Sequence, residues 1–147
     1  MRGFGETGIV TTPQVVTTRS ELETTAFGER LGSTLQSGST LLLVGDLGAG
    51  KTTLVRGIAK GLGVDPDEVS SPTFVLINEY RGRVTLHHVD LYRIDGAAID
   101  DLGLEELSAS GGVVVIEWAD RLPRPFAGAV RITIADKGES VREIVVE

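Results

Sequence analysis

Cysteine is absent from all 147 residues, which excludes a disulfide framework, a thiolate nucleophile and any Cys-ligated metal centre. No apolar run approaches the roughly 18 residues of a membrane-spanning helix, and the N-terminus has no basic segment followed by an apolar stretch. Neither a span nor a secretory signal is visible, so a cytosolic location is the expectation, with no membrane partner. Positive charge is in deficit: Lys and Arg number 14 against 21 Asp and Glu, a net charge of −7. That balance opposes non-specific attraction to a polyanion, because clustered cations usually supply nucleic-acid affinity by releasing counterions. Eleven of the fourteen basic residues are Arg, and Arg81, Arg83, Arg93, Arg121, Arg124 and Arg131 crowd the second half, where they make either a local basic patch or, more commonly, solvated surface. Trp is nearly absent too; Trp118 is the single copy, and its ordinary role is a core or rim aromatic. The length and a 41% hydrophobic content suit one domain with a real core and leave too little for two.

What the chain does have is a glycine-rich segment of defined spacing. Gly45-Asp46-Leu47-Gly48-Ala49-Gly50-Lys51-Thr52 fits the phosphate-loop pattern G-x-x-x-x-G-K-[ST]. Each position has a separate task. The glycines let successive N–H groups turn toward phosphate oxygens, Lys51 neutralises the β/γ oxygens from an exposed loop position, and the Thr52 hydroxyl can ligate Mg²⁺. Thr40–Val44 before the loop is a continuous apolar run, as in a strand buried on both faces. After it, Val55, Ile58, Ala59 and Leu62 recur on one helical face, with Gly61 and Gly63 as stop signals.

Residues 1–13 look like a loose start, and residues 14–147 like the domain proper. Gln14–Thr18 suits a short strand, and Ser20-Glu21-Leu22-Glu23 a capping box that opens a helix running to about Gln36. Residues 74–81 and 83–90 flank Gly82 as an antiparallel hairpin. Residues 97–107 predict one helix or a broken pair, since Gly103 weakens a continuous one. Gly112–Ile116 is a second buried strand, and 129–135 with 140–146 form a closing pair around a turn at Lys137-Gly138. About seven strands with flanking helices result, an α/β arrangement.

Phosphate-loop enzymes need a second acidic group at the end of a neighbouring strand. Glu117 follows Val113–Ile116 directly, so a parallel strand beside Leu41–Val44 delivers its carboxylate to the edge where the phosphate loop sits; it is the favoured metal-side carboxylate. Asp90 ends the other run and is placed to bind the metal's water shell or to orient an attacking water. Each has a plainer reading as a turn former or helix cap. Thr73, in Ser70-Ser71-Pro72-Thr73-Phe74, sits where a switch-like loop reaches a γ-phosphate, or is part of a plain Ser-Pro turn. His87 and His88 are adjacent, so on a strand they face opposite ways and cannot form a local two-His metal site. Trp118, next to Glu117, is placed to report nucleotide state.

Taken together, the phosphate loop, Ser71-Pro72-Thr73-Phe74, His88-Val89-Asp90-Leu91-Tyr92-Arg93 and Ile116-Glu117-Trp118 resemble the bacterial tRNA threonylcarbamoyladenosine biosynthesis ATPases, the TsaE family, over residues from about 14 to 135. The resemblance implies a P-loop NTPase fold with a mixed sheet of seven strands. It also implies weak, Mg²⁺-dependent ATP hydrolysis in support of threonylcarbamoylation of adenosine-37 in tRNA. By motif, Gly45–Thr52 and Thr53 hold the phosphates, Thr52 and Glu117 the metal, Asp90 acts as a catalytic carboxylate, Thr73 and Trp118 belong to switch segments, and Glu21 lies beside the nucleotide. Lys51, Asp90 and Thr73 form the implied catalytic set. The implied partners are the threonylcarbamoyl transferase subunit and its inactive paralogue, with tRNA reached only through them.

Three other functions fit a phosphate loop. A small-molecule kinase needs an acceptor pocket and usually an Arg-bearing lid, and no segment between Gly63 and Ser110 reads as a lid domain. A regulatory GTPase lacks support because no N/T-K-x-D segment is present to read guanine. A nucleotide-binding module without hydrolysis is the third.

Overall fold

The computed structural model describes residues 13–46, 48–69, 76–94 and 96–147. At its centre lie two buried strands, β2 (Thr40–Val44) and β5 (Val113–Glu117), paired in parallel with Leu43 opposite Glu117. Their leucines and valines can be apolar at every position because both faces of a parallel sheet are covered. Strands β4 (Leu86–Asp90) and β6 (Val130–Gly138) extend the parallel set on either side, and β1 (Gln14–Thr18), β7 (Val141–Val146) and β3 (Ile77–Tyr80) complete a seven-stranded sheet in the order β1-β7-β6-β2-β5-β4-β3. β3 and β7 run antiparallel to β4 and β6, so the sheet is mixed. With the phosphate loop joining β2 to α2 (Lys51–Gly61), this is the P-loop NTPase fold in a single domain.

One face of the sheet packs α1 (Glu21–Thr34) and α2 around Leu41, Leu43, Leu54 and Ile58. The other carries the short helices α3 (Gly96–Asp100) and α4 (Leu104–Ala109) over Leu42, Val89, Val114 and Ile116. The two large helices touch backbone to backbone. A Cβ on Gly57 would stand 2.3 Å from the Thr25 carbonyl oxygen, and one on Gly32 would stand 2.3 Å from that of Ile58. Gly61 belongs to the same seam: it is the last helical residue, and a Cβ there would stand 2.3 Å from the Glu29 oxygen. The terminator is Gly63 alone, at φ +83°.

Other boundaries differ from the expectations for physical reasons. α1 stops at Thr34, two residues early, with its cap at Leu35; at its start the Ser20 hydroxyl accepts from the Glu23 N–H, while the Glu23 carboxylate accepts from Arg19 N–H. The expected strand over 83–90 begins only at Leu86, because Arg83 N–H is bonded to the Leu62 carbonyl at 2.7 Å and Gly82 lies against the end of α2. Residues 97–107 do form a broken pair, split at Gly103 with φ +67°. The β6–β7 turn lies at Glu139-Ser140 instead of Lys137-Gly138. A register shift between Asp136 and Gly138 absorbs the glycine's positive φ, and Glu139 and Ser140 then take the left-handed angles of a two-residue hairpin turn, +54° and +67°. The arginines of the second half do not form one patch: Arg83 donates to carbonyls of α1 and α2, Arg124 pairs with Asp100 at 2.8 Å, and Arg93 faces the cavity described next.

Candidate functional site

Because β2, β4 and β5 run in parallel, their carboxyl ends meet at one edge of the sheet, above which α2 begins. A cavity of about 500 Å³ opens there. Its lining includes Gly48, Gly50, Lys51, Thr52 and Thr53 from the phosphate loop and α2, Asp90 and Arg93 from the end of β4, Glu117 and Trp118 from the end of β5, and Glu21 from the start of α1. The structure therefore brings to one wall residues named from the sequence as a site, including Glu21, whose placement came from resemblance alone. Gly45, Asp46 and Ala49 form the remainder of the described loop; Ala49 is buried, and its N–H donates to the Asp46 carbonyl. Leu47 and Thr73 lie outside the described residues, so their expected roles stay expectations.

Lys51 is not exposed as expected. It retains 6% of its accessible surface, and its ammonium donates to the Gly45 carbonyl and, at 3.0 Å, to that of Asp46. The same Nζ lies 4.0 Å from the centroid of the Trp118 ring, a cation–π contact. Burial lowers the Lys51 pKa, opposed by the nearby carboxylates of Glu117, Asp46, Asp90 and Asp120. Trp118 itself takes a left-handed backbone, φ +59° and ψ +40°, uncommon for a bulky residue, and stacks at a tilt on Tyr92 with centroids 4.9 Å apart. That turn aims the indole at the lysine instead of continuing the strand.

The two carboxylates are neighbours across the ladder, Asp90 opposite Glu117 in the β4–β5 register. Glu117 is 4% exposed, and its Oε2 is 2.5 Å from His88 Nε2. Asp90 is half-buried, with Oδ1 accepting from the Tyr92 N–H at 2.9 Å. Burial pushes the Asp90 carboxyl above the usual carboxylate range; the Tyr92 N–H works against the shift, the Glu117 charge reinforces it, and His88 and Lys51 oppose it. His87 and His88 do face opposite sides, His87 toward Glu79 at 3.7 Å and His88 toward Glu117.

Five lining residues were not assigned from sequence: Thr24, Tyr92, Arg93, Ser140 and Arg142. Thr24 sits one helical turn beyond Glu21 and was legible from that spacing. Tyr92 lies in the same short segment as Asp90. Ser140 and Arg142 had no readable signal, because the bulge that moves the β6–β7 turn over the cavity also hides the register of β7. Arg142 reaches the phosphate loop closely enough that a Cβ on Gly50 would stand 3.2 Å from its Nε, while its Nη1 is held by Asp136 at 3.0 Å.

Comparison with known proteins agrees with the arrangement. The family described as threonylcarbamoyl adenosine biosynthesis protein TsaE matches residues 18–144. Proteins named tRNA threonylcarbamoyladenosine biosynthesis protein TsaE are similar to the chain: that of Nostoc is 45% identical over 80% of this chain and 76% of its own length. The Treponema pallidum protein is 40% identical over 87% of this chain and 96% of its own. The crystal structure of YdiB from Bacillus subtilis superposes with a TM-score of 0.73 at 33% identity, covering 95% of this chain and 87% of that one.

Proposed function

We propose that this chain, which belongs to the threonylcarbamoyl adenosine biosynthesis protein TsaE family, is a Mg²⁺-dependent ATPase of tRNA threonylcarbamoyladenosine formation that acts as a nucleotide switch on a threonylcarbamoyl transferase complex. One observation carries the reading: a single cavity brings the phosphate-loop Lys51, Thr52 and Thr53 together with two strand-end carboxylates and the one Trp. In that site the loop N–H groups and Lys51 bind phosphate oxygens, and Lys51 exchanges its bonds to the Gly45 and Asp46 carbonyls for them. Thr52 and Glu117 would hold Mg²⁺, since their hard oxygens suit that ion. When bound, Mg²⁺ supplies charge neutralisation of the phosphates. Asp90 orients the attacking water and accepts its proton, and Thr73 senses the γ-phosphate. Glu21 and Thr24 face the cavity from α1, on the side left for the ribose and base.

The implied partners are the transferase subunit and its inactive paralogue, which together bind the tRNA. The net charge of −7 fits a chain that leaves phosphate-backbone contacts to others, and no described helix is long and apolar enough to cross a membrane. The decisive experiment measures ATP hydrolysis by the chain alone and with the transferase pair. Stimulation by the pair supports the switch reading; transfer of the γ-phosphoryl to a small hydroxyl or phosphate acceptor replaces it with the kinase. ATP should also bind more tightly than GTP in a direct titration, because the guanine-reading segment is missing.

A further inference from the structure

His88 is fully buried on β4, directly before Val89 and two residues before Asp90, and opposite Val115 of β5. Two steps along β5 is Glu117, so His88 and Glu117 meet diagonally on one face of the ladder, at 2.5 Å between Nε2 and Oε2. A carboxylate oxygen accepts, so the imidazole donates its Nε2–H. Its other nitrogen, Nδ1, is buried with no hydrogen-bond partner among the described residues. An imidazole kept only for packing would be costly at that position: a buried polar atom without a partner is a net loss, and Leu86 and Val89 show that apolar side chains fit the same strand. The ring satisfies one demand, and that demand comes from Glu117.

We infer that His88 is a positioning residue, which fixes the Glu117 carboxylate so that Oε1 is presented to the metal side of the nucleotide cavity. This deepens the proposed function and rests on Glu117 being the metal-side ligand. A Glu side chain has three rotatable bonds, the last of which turns the carboxylate freely. One fixed donor behind Oε2 selects the rotamer and the plane before any ligand arrives, and His88, with no exposed surface, does so from the core side where nucleotide cannot compete. Hydrogen-bonded partners behind a metal-binding carboxylate typically change metal affinity by about 10–100-fold when removed.

The test uses two variants of equal polarity and different reach. His88→Gln puts an amide N–H where Nε2 stands, and His88→Asn puts one where Nδ1 stands, short of Glu117. Binding of ADP is titrated across Mg²⁺ concentrations, with melting curves to show that each variant folds. His88→Asn should raise the Mg²⁺ needed for half-saturation by about 10-fold or more, with metal-free ADP affinity unchanged, and His88→Gln should stay near wild type. Wild-type Mg²⁺ dependence in His88→Asn, or equal losses in both variants, overturns the positioning role. Glu117→Ala separates the two layers: if it too keeps wild-type Mg²⁺ dependence, the ligand reading of Glu117 fails and His88 has nothing to position. The wild-type chain provides a check that needs no variant, since it has only two histidines. Imidazole ¹⁵N spectra should show a buried ring with a hydrogen on Nε2, whose signal moves when Mg²⁺ and ADP are added together and not with ADP alone; an Nε2 without its hydrogen overturns the inference.

Discussion

Asp90 is asked to be a base in a place that favours its acid form. Its folded-state pKa is raised, chiefly by burial, so the neutral carboxyl is favoured in the fold and ionising it costs stability as pH rises through the raised value. Two results of opposite sign follow for Asp90→Asn, which keeps the Oδ1 acceptor for the Tyr92 N–H. Hydrolysis should fall by about 10²-fold or more, and the acid limb of the wild-type pH–rate profile, lying above the ordinary Asp value of about 3.9, should vanish. Thermal stability at neutral pH should meanwhile rise slightly, because a charge no longer has to be held in a half-buried site. A pH–rate profile and a melting curve on the same preparations decide it; a variant less stable and equally active would show Asp90 to be structural. Lys51→Ala should abolish nucleotide binding in a direct titration. It also removes a bond to each of two loop carbonyls, so some loss of melting temperature is expected as well, unlike for a lysine standing in solvent.

Among the elements, α1 matters because the cavity proposed for the nucleotide borrows Glu21 and Thr24 from its first turn. What sets its distance is the glycine seam with α2. Gly57→Ala would push a methyl to 2.3 Å from the Thr25 oxygen, so the helices must separate. Overpacking of this kind costs about 1–3 kcal/mol, or about 2–4 °C of melting temperature per kcal/mol for a chain near this size. Nucleotide affinity should fall with it as Glu21 and Thr24 withdraw; a stable variant with unchanged affinity would mean that α1 does not hold the ligand. The seam also marks the limit of what the sequence makes legible. The buried strands were visible because uninterrupted Leu and Val runs fit little else, and the phosphate loop because its spacing is dictated by phosphate geometry. Glycine carries several meanings that sequence alone does not separate. Gly61 reads as a stop yet is a contact surface, and Gly138 reads as a turn yet sits at a bulge, with the turn made by Glu139 and Ser140. The misread Gly138 concealed the cavity-lining Ser140 and Arg142, whereas Asp90 and Glu117 could be placed at the cavity because the ends of their strands were legible.

At the scale of the whole molecule, the proposed switch requires nucleotide state to be transmitted from the cavity to a partner. The contact of Lys51 with Trp118 offers the first step, since phosphates that recruit the ammonium take it from the indole face. Trp118 is the only Trp, so its emission should differ between ADP and a non-hydrolysable ATP analogue, and the affinity for the transferase pair should differ in parallel. Equal partner affinity with both nucleotides would remove the switch and leave ATP a structural ligand. The sheet adds a constraint of another kind, one of time. Among the described residues β1 is paired to β7 alone, Gln14 against Val146, so the earliest described strand waits for one made after all the other described strands, and that same strand and its turn bring Arg142 and Ser140 to the cavity. A growing chain can have its phosphate loop made and still lack a finished pocket, so synthesis itself schedules when this cavity is first walled in.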